Sequence, residues 1–107
     1  MLRIKKSSKI NGLRPEMVLA TIVVNEAYAI WGYDCVITEG TGSKHGSGSL
    51  HYVGLAEDYR MNDVDKIDRE KIVYNIKDRL SDQFDVVLEE YHGNPINDHL
   101  HIEFQPK

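Results

Sequence analysis

His99-Leu100-His101-Ile102-Glu103-Phe104, near the end of a 107-residue chain, decides how the rest is read. Side chains alternate along a strand, so Leu100, Ile102 and Phe104 share one face while His99, His101 and Glu103 share the other. The apolar face belongs against a core. The opposite face presents two imidazoles and a carboxylate, which is either a solvated surface or the wall of a metal site. Phe84 to Glu89 reads as a neighbouring strand, set off by the turn-rich Gly93-Asn94-Pro95. Before it, Ile72, Ile76 and Leu80 form an apolar stripe at i, i+4 and i+8, with Asp68 placed to cap that helix. Leu55 to Arg60 and Asp34 to Thr38 read as two further strands. Pro15 suits the first turn of a helix in which Ala20, Val23, Val24, Ala27, Ile30 and Trp31 recur at helical spacing and which Gly32 closes. Residues 1–13 read as an irregular N-terminal arm and 14–107 as one domain. The order helix, strand, loop, strand, helix, strand, strand predicts an α+β fold, with two helices packed on one face of a small, mainly antiparallel sheet.

Composition narrows the function. With 41% hydrophobic and 28% charged residues the chain has enough apolar material for a core, and no apolar run approaches the ~18 residues of a membrane span. Thirteen Lys+Arg against 17 Asp+Glu give a net charge of −4, a poor match for a phosphate backbone. Arg3, Lys5, Lys6 and Lys9 make the one local basic patch, which reads as a solvated tail. No 7–15-residue apolar segment follows it, so no export signal is read. The single cysteine, Cys35, lies in an apolar run and reads as a buried inert thiol.

The five histidines fall in two groups: His45 and His51 around the end of a Gly/Ser-rich loop, and His92, His99 and His101 near the C-terminus. In Ser49-Leu50-His51-Tyr52-Val53-Gly54-Leu55-Ala56-Glu57-Asp58, the His and the final Asp are seven residues apart. One uninterrupted strand would point them to opposite faces, but Gly54 lets the chain turn so that both can aim at one point. His51, Asp58 and His101 then make an N, N, O set. Three such ligands suit zinc and leave a fourth tetrahedral position open, as in catalytic rather than structural zinc sites.

Ser49-x-His51-x-x-Gly54-x-Ala56-x-Asp58, followed by Asp98-His99-x-His101, resembles the zinc D,D-peptidase/hedgehog superfamily, which includes D-alanyl-D-alanine carboxypeptidases and phage endolysins cutting the L-alanyl-D-glutamate bond. The resemblance covers roughly Val36 to Phe104. It implies a hedgehog/D,D-peptidase-like fold, a single zinc ion held by His51, Asp58 and His101, and Asp98 as the catalytic carboxylate. Asp98 and His101 would face opposite ways within one regular strand, so Asp98 is expected at the end of the preceding loop, curled over the metal. Ser49 is expected to orient substrate or brace its loop, and His99 to donate to the tetrahedral intermediate, to stand behind the ligands or to lie at the surface. Many relatives carry an arginine in the loop after the first strand. Here Thr38 to His45 holds none, leaving Lys44 or His45 as the cation, neither with arginine's bidentate fork.

His92 reads as a loop histidine, Glu57 and Glu103 as solvated strand residues, and Tyr52 and Trp31 as packing residues. The leading expectation is a monomeric zinc metallopeptidase hydrolysing peptidoglycan stem peptides, without nucleic-acid or membrane partners, either cytoplasmic or phage-encoded and released at lysis. The alternative is a non-catalytic zinc-containing module that recognises cell-wall peptides or a protein partner. A His-rich metal nuclease is disfavoured by the negative charge.

Overall fold

The computed structural model describes residues 1–42 and 49–106. In chain order these residues form β1 (Leu2–Ile4), α1 (Pro15–Ile30), β2 (Cys35–Glu39), β3 (Ala56–Arg60), α2 (Lys66–Arg79), β4 (Phe84–Glu89) and β5 (His99–Phe104). Short 3₁₀ turns at Leu50–Val53 and Pro95–Asn97 lead into β3 and β5. The strands lie in the order β1-β2-β3-β5-β4, antiparallel except for the parallel β1–β2 pair. The expected α+β class, a mainly antiparallel sheet with two helices, is the observed one.

Register sorts the side chains into two faces. Ile37 opposes Tyr59, Tyr59 opposes Leu100 and Ile102 opposes Val86, and these residues join Met17, Ala20, Val24, Ala27 and Tyr28 of α1 and Ile72 and Ile76 of α2 in one core. The other face carries Asp58, Arg60, His99, His101 and Glu103. Proline at the start of α1 gives up an N–H that has no partner there in any helix, and Gly32 ends the helix at φ +84°, which a side chain would oppose. Ile30, expected on the buried stripe, stands 59% exposed. No helix of the described residues is long and apolar enough to cross a membrane.

Three further expectations change here. The arm at residues 1–13 is not irregular throughout, because Leu2–Ile4 pairs in parallel with Cys35–Ile37. All three residues are exposed, so the pairing rests on backbone hydrogen bonds and leaves no apolar period to read. Asp68 does not cap α2. The helix starts at Lys66, and Asp68 in its first turn accepts the Tyr33 hydroxyl proton at 2.6 Å. Glu57 is not solvated but fully buried. It neighbours Asp58 in β3, so alternation turns it into the helix face, where it accepts from Thr21 Oγ1 at 2.6 Å and Tyr59 Oη at 2.9 Å. Burial pushes its pKa up, and the two hydroxyls pull it part of the way back. Cys35 is buried as expected, its thiol pushed up to about 12, chiefly by burial.

Candidate metal centre

Asp58 and His101 are direct register partners on the open face of β3 and β5. His51 reaches the same point from the 3₁₀ turn, and local chemistry aims it there. The Ser49 hydroxyl accepts the His51 backbone N–H at 3.2 Å and so caps the turn. Gly54 then reverses the chain at φ +76°. That glycine is required twice, since a Cβ on it would lie 2.1 Å from the carbonyl oxygen of Gly12. Gly54→Ala is therefore expected to cost roughly 2 kcal/mol or more and to weaken metal binding by displacing His51. Urea unfolding and metal titration of the variant check both.

The donor atoms converge. His101 Nδ1 lies 2.8 Å and His51 Nε2 3.6 Å from Asp58 Oδ1, with ring centroids 5.2 Å apart. The three ligand atoms all fall within 4.8 Å of one another, so this group can hold a metal ion. The far nitrogens are anchored. His51 Nδ1 lies 2.9 Å from the Gly40 carbonyl, and His101 Nε2 lies 2.8 Å from Glu103 Oε1. Both partners can only accept, so both far nitrogens carry hydrogens, and in the neutral tautomers the near nitrogens offer lone pairs. Metal-ligating histidines are oriented in this way by carbonyls and carboxylates behind them. The donor set thus fits a borderline divalent ion. Glu103, expected to be solvated, is instead the brace of His101.

Charge follows the same geometry. Hydrogen bonding to Asp58, opposed by burial and reinforced by Glu103, raises His101 to about 9. Burial pulls His51 down, but the hydrogen bond and charge of Asp58 outweigh it and the net shift is upward. Burial would raise Asp58, yet the two imidazoles hold it well below the usual carboxylate range. Without metal, the Nδ1 proton of His101 therefore bridges to Asp58.

Asp98 sits where expected along the chain, at the end of the 3₁₀ turn before β5, and lines a cleft of about 600 Å³ with Asp58, Arg60 and His99. Its carboxylate does not join the three converging ligands. Oδ2 accepts from Arg69 Nη1 at 2.7 Å and Oδ1 from the Tyr91 backbone N–H at 2.7 Å. These bonds, Tyr91 first, hold its pKa down. Arg69 also donates to Glu90 Oε2 at 2.9 Å and Val64 O at 2.8 Å and is 4% exposed. The sequence reading missed it, although a signal existed: Arg69 is a charge three residues before Ile72, on the buried stripe of α2.

His99 reaches the cleft, with Nδ1 2.9 Å from the Asn97 carbonyl and the ring stacked on Tyr91 at 5.8 Å. His92 is exposed in its loop. Trp31 packs against the core as expected, whereas Tyr52 stands 50% exposed rather than packed. Lys44 and His45 lie outside the described residues. Comparison of the chain with protein-family models, curated proteins and solved structures gives no match.

Proposed function

We propose that the protein is a zinc-dependent peptidase acting on peptidoglycan stem peptides, of the D-Ala-D-Ala carboxypeptidase or L-Ala-D-Glu endopeptidase type. One observation carries this reading: the near nitrogens of His51 and His101 converge on the Asp58 carboxylate while their far nitrogens are held by Gly40 and Glu103. Two imidazoles and one carboxylate suit zinc and leave a position for water or substrate. Bound there, zinc supplies Lewis acidity, polarising a carbonyl and lowering the pKa of water toward ~7.

The chain's own groups do the rest. His51, Asp58 and His101 hold the ion. Asp98 takes a proton from the attacking water and returns it to the amine as the peptide bond breaks, leaving a carboxylic acid and a free amine. Its bonds to Arg69 and Tyr91 use one acceptor site on each oxygen, and a carboxylate has further lone pairs. The same bonds keep it ionised before reaction and make it a ready acid afterwards.

Metal analysis should find about one zinc per chain, lost in His51→Ala and Asp58→Ala. The zinc-loaded protein and Asp98→Asn are then incubated with purified peptidoglycan and stem peptides, and products are read by mass spectrometry. Asparagine is chosen because alanine would strand the Arg69 guanidinium. Loss of terminal D-Ala, or a cut after L-Ala, slowed about 10²–10⁴-fold in the variant, supports the peptidase. A second reading, a zinc-containing module that binds cell-wall peptides without cutting them, is favoured by the engagement of both Asp98 oxygens. Peptide binding without cleavage by the zinc-loaded protein would establish it instead.

A further inference from the structure

Five arginines occur in the chain, and four have partners. Arg3 pairs with Asp34, Arg14 donates to the Val53 carbonyl, Arg69 joins Glu90 and Asp98, and Arg79 pairs with Glu26. Arg60 differs. Its guanidinium makes no hydrogen bond or ion pair among the described residues, yet the residue is half-buried and lines the same cleft as Asp58 and Asp98. Its position is set by the sheet. Asp58 and Arg60 are alternate residues of β3 on one face, paired with His101 and His99 respectively. Arg60 therefore stands one rung, about 7 Å, along the ladder from the ligand group.

The acids nearby do not account for it. Asp98 is matched by Arg69, Asp58 belongs to the group that can hold a metal, and Glu39, the third carboxylate lining the cleft, makes no ion pair with Arg60. Lys5, at the end of β1, adds a second positive charge to the cleft, and Asn62 and Asn97 add amide groups. A half-buried arginine lining a cleft suits a planar anion that can accept two parallel hydrogen bonds.

We propose that Arg60, assisted by Lys5, binds a carboxylate of the substrate on the residue that follows the scissile bond. The inference rests on the peptidase reading and adds the substrate's chemistry to it. One rung of the sheet is comparable to the span from a carbonyl at the ligand group to a carboxylate on the next residue, allowing for the reach of the arginine. Two kinds of residue present that group: a C-terminal one through its free α-carboxylate, and an internal D-Glu linked through its side chain.

The test uses matched peptides with the zinc-loaded protein, Arg60→Gln and Arg60→Lys. One pair differs only in a C-terminal carboxylate or amide, the other only in internal D-Glu or its isoglutamine amide. The wild-type protein is expected to favour the acid of one pair by roughly 10–100-fold in KM, and the pair that responds names the source of the carboxylate. That preference should collapse in Arg60→Gln and return only in part in Arg60→Lys, which keeps the charge but not the fork. The same peptides are titrated by NMR against Asp98→Asn, giving dissociation constants independent of turnover. Cleavage of acid and amide alike, with equal dissociation constants, overturns the carboxylate site and leaves the peptidase standing. No cleavage, with acid binding still dependent on Arg60, overturns the peptidase and upholds the site.

Discussion

Truncating Arg69 to alanine is expected to lower stability by about 3 kcal/mol, because removing one partner of a buried ion pair leaves the other charge uncompensated. The guanidinium joins the Val64 carbonyl, Glu90 and Asp98, so the substitution breaks three bonds and frees the loop between β4 and β5 from α2. The value sits at the low end for such pairs because Asp98 lines the cleft, from which water can enter. Urea unfolding measures the loss, and a double-mutant cycle with Asp98→Asn separates the pair's coupling from the rest, with roughly 1–3 kcal/mol expected. A loss under about 0.5 kcal/mol, the level of an ordinary surface substitution, would mean that the pair does not anchor the loop. The acid limb gives a second check. Asp98 has a lowered folded-state pKa, so its contribution is present above the ordinary aspartate value near 3.9 and is lost as pH falls through the folded value. Arg69→Ala should flatten that limb in part, because the Tyr91 N–H, the largest cause of the lowering, still donates to Asp98.

The second large effect is a reversal of pH dependence on metal binding. Without metal, His101 is raised to about 9 by Asp58 and Glu103. A group whose folded pKa is raised contributes stability that is complete below the unfolded value, about 6.5, and is lost as pH rises through the folded one. The metal-free protein should therefore lose up to roughly 3 kcal/mol between pH 6.5 and 9.5. Glu57, also raised, acts with the same sign in a lower range. With metal the sign inverts, since His51 and His101 bind as neutral imidazoles and protons compete for them. The metal contribution, RT ln(1 + [L]/Kd), therefore grows as pH rises. Melting temperatures with zinc and with a chelator should diverge from pH 6 to 8.5, and calorimetry in buffers of different ionisation enthalpy should record about one to two protons released near pH 7. Parallel melting curves and no proton release would exclude metal at this cluster.

Much of the site was legible because its determinants are local. Alternation in His99–Phe104 separates the imidazole face from the core face, and Gly54 between His51 and Asp58 announces a turn. Leu80, at the end of the α2 stripe, is buried as its spacing requires. Glu57 was legible too, though it was missed: once Asp58 is assigned to the open face, its neighbour must enter the core.

The sequence by itself determined the two helices, four of the five strands and the grouping of His51, Asp58 and His101, because the periods of helix and strand and the freedom of glycine act over a few residues. Tertiary structure alone decided the pairing of β1 with β2, the approach of Gly12 to Gly54, the brace of Glu103 behind His101, and the anchor of Asp98 on Arg69. The β1 pairing is made by backbone groups, which every residue carries alike, so composition and period leave no mark of it. The Gly12 approach and the Arg69 anchor join residues 42 and 29 positions apart, and which glycine meets which backbone, or which carboxylate meets which guanidinium, is settled only when the sheet and helices pack. Arg60 shows both sides. Its face follows from alternation with Asp58, but that it stands in the cleft without a partner among the described residues emerges only when the other four arginines are seen to have found theirs.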